Sequence, residues 1–111
     1  MQRGDIYWFE PDPIVGSEQS GRRPAVVISR NAINRSSSVG VVVPLTTYRE
    51  QQLYPSDVLI HPPEGGLRSD SVAIALQIRV ADKQRFTERL GRVSAVTMKR
   101  LEEAILIVLD M

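Results

Sequence analysis

Apolar residues come along this chain in short runs, each broken within a few positions by Gly, Pro or a polar cluster. Residues 5–10 are rich in aromatic and β-branched side chains and predict a strand. Pro11, Pro13 and Gly16 then open a long loop. Residues 24–29 and 39–45 predict two further strands, apolar at nearly every position. Both faces of such strands must be covered, one inside a barrel and the other under a helix or a partner subunit. Residues 57–60 and 71–78 read as strands separated by the turn-rich His61-Pro62-Pro63-Glu64-Gly65-Gly66, and residues 85–93 as another. Residues 31–38 are polar without a clear period, a loop or a short helical turn.

The last segment has a different period. Over residues 94–110, Met98, Leu101, Ile105 and Val108 recur at helical spacing, and Ser94 stands where an N-cap is needed. Leu106, Ile107 and Leu109 widen the stripe, so this helix should be buried or lie at an interface. The fold class that follows is mainly β (α+β). It is a small, strongly curved β-barrel of five to seven strands with a C-terminal helix and one or two short helices. The alternating helices that a parallel sheet needs are missing from the pattern. Residues 1–111 read as one domain. The doubly apolar strands and the wide helical stripe favour a two-fold dimer.

Composition narrows the chemistry. The net charge is +1, so affinity for nucleic acid must come from local patches rather than a global field. No cysteine is present, which excludes disulfides, thiolate catalysis and cysteine-based zinc sites and fits a reducing cytoplasm. Residues 1–5 have no apolar core of a signal peptide, and the longest apolar run, residues 104–109, is too short to span a bilayer. A cytoplasmic location with no membrane contact is expected. The single histidine, His61, rules out a two-histidine nuclease and reads as a surface residue. The carboxylates show no metal-ligand spacing and no nucleotide loop appears, so neither metal nor cofactor is expected.

What remains is the loop Gly16-Ser17-Glu18-Gln19-Ser20-Gly21-Arg22-Arg23-Pro24, which runs straight into an apolar strand. Residues 20–49 hold five arginines and no carboxylate, a local excess suited to a phosphate-bearing partner. Pro24 biases Arg23 to an extended backbone at the strand entrance, which aims its side chain. Thr46 and Thr47 follow the third strand; such a pair also reads as the start of a turn, and Glu18 alone as a solvated loop acid. Taken jointly, the set suits metal-free RNA cleavage by the neighbouring 2′-OH. That reaction needs a base, for which Glu18 is the candidate, cations around the phosphorane, and hydrogen bonds to its oxygens. Tyr48, Arg49 and Tyr54 on the next loop suit stacking of unpaired bases, although each tyrosine serves equally well packed on the barrel. Trp8 and Phe9 are expected in the core or an interface.

These residues resemble a known family. Arg3-Gly4-Asp5-Ile6-Tyr7-Trp8, the block over residues 16–29, Val43-Pro44-Leu45-Thr46-Thr47, Asp70-Ser71-Val72-Ala73 and Gln77-Ile78-Arg79 are similar, in order and over nearly the whole chain, to the MazF/PemK toxins of type II toxin–antitoxin systems. The resemblance implies an SH3-like barrel, a homodimer, and a metal-independent endoribonuclease (an mRNA interferase). Such an enzyme cuts single-stranded mRNA at short sequences to leave a 2′,3′-cyclic phosphate and a 5′-OH, arrests growth, and is held in check by a cognate MazE-like antitoxin. It places the catalytic arginine on Arg23, the catalytic threonine on Thr46 and the motif glutamate on Glu18. Ser17, Gln19, Arg22, Thr47, Tyr48, Arg49 and Tyr54 are then assigned to RNA binding, with residues 48–53 tuning sequence preference. The alternative is a non-catalytic toxin of the same fold that poisons gyrase by protein contact. That version lacks the arginine–threonine pair and ends in an apolar-aromatic tail, whereas both residues are present here and the tail is Leu109-Asp110-Met111.

Overall fold

The computed structural model describes residues 1–10 and 22–111. Glu18, Ser17 and Gln19 lie outside the described residues. Seven strands are formed: β1 (Asp5–Phe9), β2 (Arg23–Val27), β3 (Val39–Thr47), β4 (Asp57–Ile60), β5 (Ser71–Ile74), β6 (Arg79–Asp82) and β7 (Phe86–Arg92). Two α-helices accompany them, α1 (Asn31–Ser36) and α2 (Ala95–Leu109), with three single 3-10 turns. The segment read as a loop or helical turn is therefore helical at α1.

All pairings are antiparallel, and the hydrogen-bonded path runs β4-β5-β3-β2-β1-β7, with β6 also on β3. β3 organises the sheet. One of its edges takes β2; the other takes β6 along Val39–Val42 and then β5 along Leu45–Thr47. β7 follows β1 with two register irregularities, which bend the ladder.

The strands read as covered on both faces are so, because neighbouring residues point to opposite sides of the pleat. Val26 and Val43 join Ile6, Leu45, Ile60 and Leu101 in a core that α2 closes. Ala25, Val27 and Val42 join Phe9 and Ala81 in a second core, with Tyr7 and Phe86 against it. The buried face of α2 is Thr97, Met98, Leu101 and Ala104. Leu106, Ile107 and Leu109, which widen the stripe, are exposed in the single chain. The Ser94 hydroxyl accepts from the Thr97 N–H at 3.1 Å, so the N-cap stands where the sequence puts it.

The curved architecture is the expected one, but the sheet does not close into a ring. β4 and β7 end the path, and no pairing joins them among the described residues. The physical reason lies in the 3-10 turn Glu64–Gly66, which packs on β7 where a further ladder would have to run. Gly65 and Gly66 have φ of 66° and 73°. A Cβ at Gly66 would stand 2.0 Å from the Leu90 carbonyl oxygen, and one at Gly91 would stand 2.6 Å from the Gly65 carbonyl carbon. Only glycine allows that approach.

Two other boundaries differ from the sequence reading. The run over residues 71–78 leaves the sheet at Ile74, where a 3-10 turn (Ala75–Gln77) redirects the chain. The chain then returns as β6, a strand the apolar pattern does not reveal: Arg79, Val80 and Asp82 are exposed and only Ala81 is buried.

Two carboxylates secure the scaffold. Asp5 is almost fully buried; burial opposes its charge, but the Gln2 N–H and the guanidiniums of Arg89 and Arg92 outweigh it and hold its pKa below the ordinary value. Arg89 and Arg92 approach its Oδ1 at 3.2 and 3.1 Å. Glu64 is shifted the same way. Burial again opposes, while hydrogen bonds from Thr97 and Ser94 and the charge of Arg100 prevail. The Ser94 N–H donates to Glu64 Oε2 at 2.9 Å, so this carboxylate sits on the N-terminal end of α2, where the helix dipole favours negative charge.

Candidate functional site

A cleft of about 650 Å³ opens where the start of β2, the end of β3 and the chain after the Glu64–Gly66 turn converge. Arg22, Arg23 and Pro24 come from the first; Leu45, Thr46 and Thr47 from the second; Arg68 and Ser69 from the third. Trp8 on β1 and Glu88 on β7 complete the polar wall. The site is built by strand ends and the loops they anchor, as binding residues on a rigid scaffold usually are.

Local structure explains each position. Arg23 is the first residue of β2 and pairs across the ladder with Phe9, whose side chain is fully buried. Its backbone is thereby held while its half-buried side chain meets the cleft. The Pro44–Thr47 segment is still sheet, not turn: Thr46 pairs with Val72 and Thr47 with Ser71. The Thr46–Thr47 pair is thus a strand feature, and the reading of it as the start of a turn is set aside. Thr46 is half-buried and Thr47 exposed. β2 and β3 are in register at Ala25–Pro44, and continuing that register two residues further sets Arg23 opposite Thr46.

Arg22 lies flat against the wall. Its guanidinium carbon is 4.4 Å from the centre of the Trp8 ring, and its Nη2 is 3.8 Å from Glu88 Oε2. Contacts of these kinds near a surface contribute about 0.5–1 kcal/mol each. Among the described residues no carboxylate forms an ion pair with Arg23 or Arg68. Among the described residues the cleft lining thus has three guanidiniums and one carboxylate, Glu88. That is a phosphate-binding balance on a chain whose net charge is only +1.

Of the residues singled out from sequence, Arg22, Arg23, Thr46 and Thr47 share this cleft. Tyr48, Arg49 and Tyr54 lie outside its lining. Tyr48 is tied to the neighbouring segment, its N–H donating to the Asp70 carbonyl at 2.8 Å. Tyr54 is 61% exposed, so it is not packed on the sheet. Phe9 is in the core as expected, but Trp8 is half-buried and forms part of the cleft wall. Sequence reasoning missed Arg68, Ser69 and Glu88. The Gly65-Gly66 pair just before Arg68 was the available signal, since a double glycine marks a close backbone approach. His61 is exposed, as read, and pairs with Asp70 at 2.8 Å. No group of three His, Cys, Asp or Glu residues among the described residues is set out to hold a metal ion. Among the described residues no helix is long and apolar enough to cross a membrane.

The chain is similar to known proteins over almost its full length. Residues 2–109 match the family model described as PemK-like, MazF-like toxin of type II toxin–antitoxin system. Endoribonuclease EndoA of Bacillus subtilis is 37% identical over 105 residues, covering 95% of this chain and 90% of that protein. Endoribonuclease MazF9 of Mycobacterium tuberculosis is 38% identical, covering 100% of this chain and 98% of that protein. A MazE–MazF crystal structure from Deinococcus radiodurans superposes with a TM-score of 0.83 at 28% identity, covering 100% of this chain and 96% of that one. On a match that spans almost its full length, the chain belongs to the PemK-like, MazF-like toxins of type II toxin–antitoxin systems.

Proposed function

We propose that this endoribonuclease toxin cuts single-stranded mRNA by attack of the ribose 2′-OH on the adjacent phosphate. The oxygen–phosphorus bond to the 2′-oxygen forms and the bond to the 5′-oxygen breaks. The 2′-OH proton passes to a base and the departing 5′-oxygen gains one, leaving a 2′,3′-cyclic phosphate and a 5′-OH. The single observation that carries this reading is that Arg23 and Thr46, from different strands, line one cationic cleft.

In that cleft the Arg23 guanidinium offers its planar fork to the phosphorane, whose negative charge exceeds that of the starting diester. An arginine keeps its proton at neutral pH, so its contribution is electrostatic rather than acid catalysis. The Thr46 hydroxyl donates to a non-bridging oxygen and fixes the phosphate for in-line attack. Glu18, a few residues before Arg22 and Arg23 in the sequence, serves as the base or positions Arg23. Arg22 and Thr47 hold the flanking chain, together with Ser17 and Gln19. Tyr48, Arg49 and Tyr54, which follow β3 and lie outside the cleft lining, contact bases further along the strand and tune sequence preference. Every charge this scheme requires is supplied by side chains, without a metal ion.

A MazE-like antitoxin neutralises the toxin by covering this cleft; the similarity to the chain in the Deinococcus MazE–MazF structure supports that partner. A homodimer is the working form. Leu106, Ile107 and Leu109 on α2, Val80 on β6 and Leu76 in the turn before it leave apolar surface exposed on the single chain, and a second copy would cover part of it. The toxin acts in the cytoplasm, where its mRNA substrate is. Replacing the ribose at the cut site of an oligonucleotide by 2′-deoxyribose tests the chemistry: the substituted strand resists cleavage, and a strand cut as fast as the all-ribose control contradicts the mechanism.

A further inference from the structure

We infer that Arg68 is a second phosphate clamp, which binds a phosphate flanking the scissile one and sets substrate affinity rather than the rate of the chemical step. The inference rests on the RNA-cleaving reading of the cleft and assigns a residue that the sequence motifs leave out.

Arg68 lines the same cleft as Arg23 but comes from a different part of the chain, the segment between the Glu64–Gly66 turn and β5. It is exposed, and no ion pair or side-chain hydrogen bond engages it among the described residues. The acids nearest to it in sequence are committed elsewhere. Glu64 accepts from the Ser94 N–H at the start of α2, and Asp70 faces His61 at 2.8 Å. A solubility charge gains from a carboxylate neighbour; this guanidinium has been left uncompensated beside an anion-binding cleft.

Its support is rigid. Gly65 and Gly66 press against the Gly91 and Leu90 backbone, and Leu67, immediately before Arg68, is buried in the main core. The base of the arginine is therefore fixed on both counts, and less conformational freedom is lost when its fork meets an anion. Ser69, the next residue, also lines the cleft and is exposed, so its hydroxyl offers a further donor, while the Ser71 hydroxyl donates to the Ser69 carbonyl at 3.0 Å. At about 650 Å³ the cleft has room for more than one phosphate group, one for Arg23 with Thr46 and one for Arg68 with Ser69.

The test uses an oligonucleotide with the sequence that the wild-type protein cuts, in an all-ribose form for kinetics and a 2′-deoxy form at the cut site for binding. Arg68→Ala is expected to raise Kd and KM about tenfold, as loss of one charge-assisted contact does, with kcat nearly unchanged. The slope of log K against log salt should fall by about 0.7, the value for one phosphate on a single strand. A neutral methylphosphonate introduced at each flanking position in turn should weaken the wild type at one position and leave Arg68→Ala unaffected there. Arg68→Lys should recover part of the affinity. If Arg68→Ala keeps the wild-type KM and salt slope while the wild type cuts normally, the clamp is refuted and the enzyme reading stands. If the wild type neither binds nor cuts RNA, the enzyme reading fails and the clamp falls with it.

Discussion

Arg23 opens β2 and Thr46 lies one residue from the end of β3, and the two line one cleft just beyond the Ala25–Pro44 pair that ends the β2–β3 ladder. Twenty-two residues of chain separate them, including α1 and most of β3. The β2–β3 pairing is thus what assembles the candidate catalytic pair.

Arg23→Ala should lower cleavage about 10²–10³-fold or more, the loss seen when a preorganised charge-stabilising donor is removed. The fold should survive, because the side chain is half-buried and makes no ion pair among the described residues. Circular dichroism and a thermal melt check the fold, and single-turnover cleavage checks the rate. Adding Thr46→Ala should cost less than the two single losses combined, since the pair acts on one phosphate.

The protein has one tryptophan, Trp8, and the Arg22 guanidinium rests on its ring. RNA binding should draw Arg22 toward phosphate and change the ring's surroundings. Titration with an uncleavable oligonucleotide should therefore shift Trp8 fluorescence saturably, and Arg22→Ala should alter the free-state emission. An emission that stays flat through saturating RNA would remove Trp8 and Arg22 from the binding surface.

Legibility in the sequence followed physical scale. β1, β2, β3, β4 and α2 were readable because burial on one or both faces leaves a local apolar pattern, and Ser94 marked the start of the helix. β6 was not, since Val80 is exposed and Arg79 and Asp82 face solvent beside it. Ile74 ended its strand early for a tertiary reason, the turn that carries Ala75 into the core. In the cleft, Arg23 and Thr46 were legible from the loop–strand pattern and its family likeness. Arg68 and Glu88 were not, because only the packing of Gly66 against β7 and the β1–β7 pairing bring them to the same place.

Gly66→Ala tests that packing. The new Cβ would stand 2.0 Å from the Leu90 carbonyl oxygen at a φ of 73°, so backbone must shift. The expected loss is about 2–4 kcal/mol of stability, from strain and overpacking together. Urea unfolding measures it, and cleavage should weaken in the folded fraction as Arg68 is displaced. A variant as stable as the parent would mean that the turn is loosely seated.

Acid should unfold the protein through Asp5 and Glu64. Both have pKa values held below those of the unfolded chain. Their contribution is complete above the unfolded carboxylate range near pH 4 and is lost as the pH falls through the folded values. Unfolding midpoints in urea should hold steady from pH 7 to about 5 and then drop steeply. Glu64→Gln should flatten that drop and lower stability at neutral pH.

The most direct test of the central claim is to incubate the purified protein with a long single-stranded RNA in EDTA and map the ends of the fragments. Discrete cuts at a short recurring sequence, each with a 5′-OH, are the predicted result, and they should vanish with Arg23→Ala. Intact RNA, or cleavage that EDTA abolishes, would contradict the account.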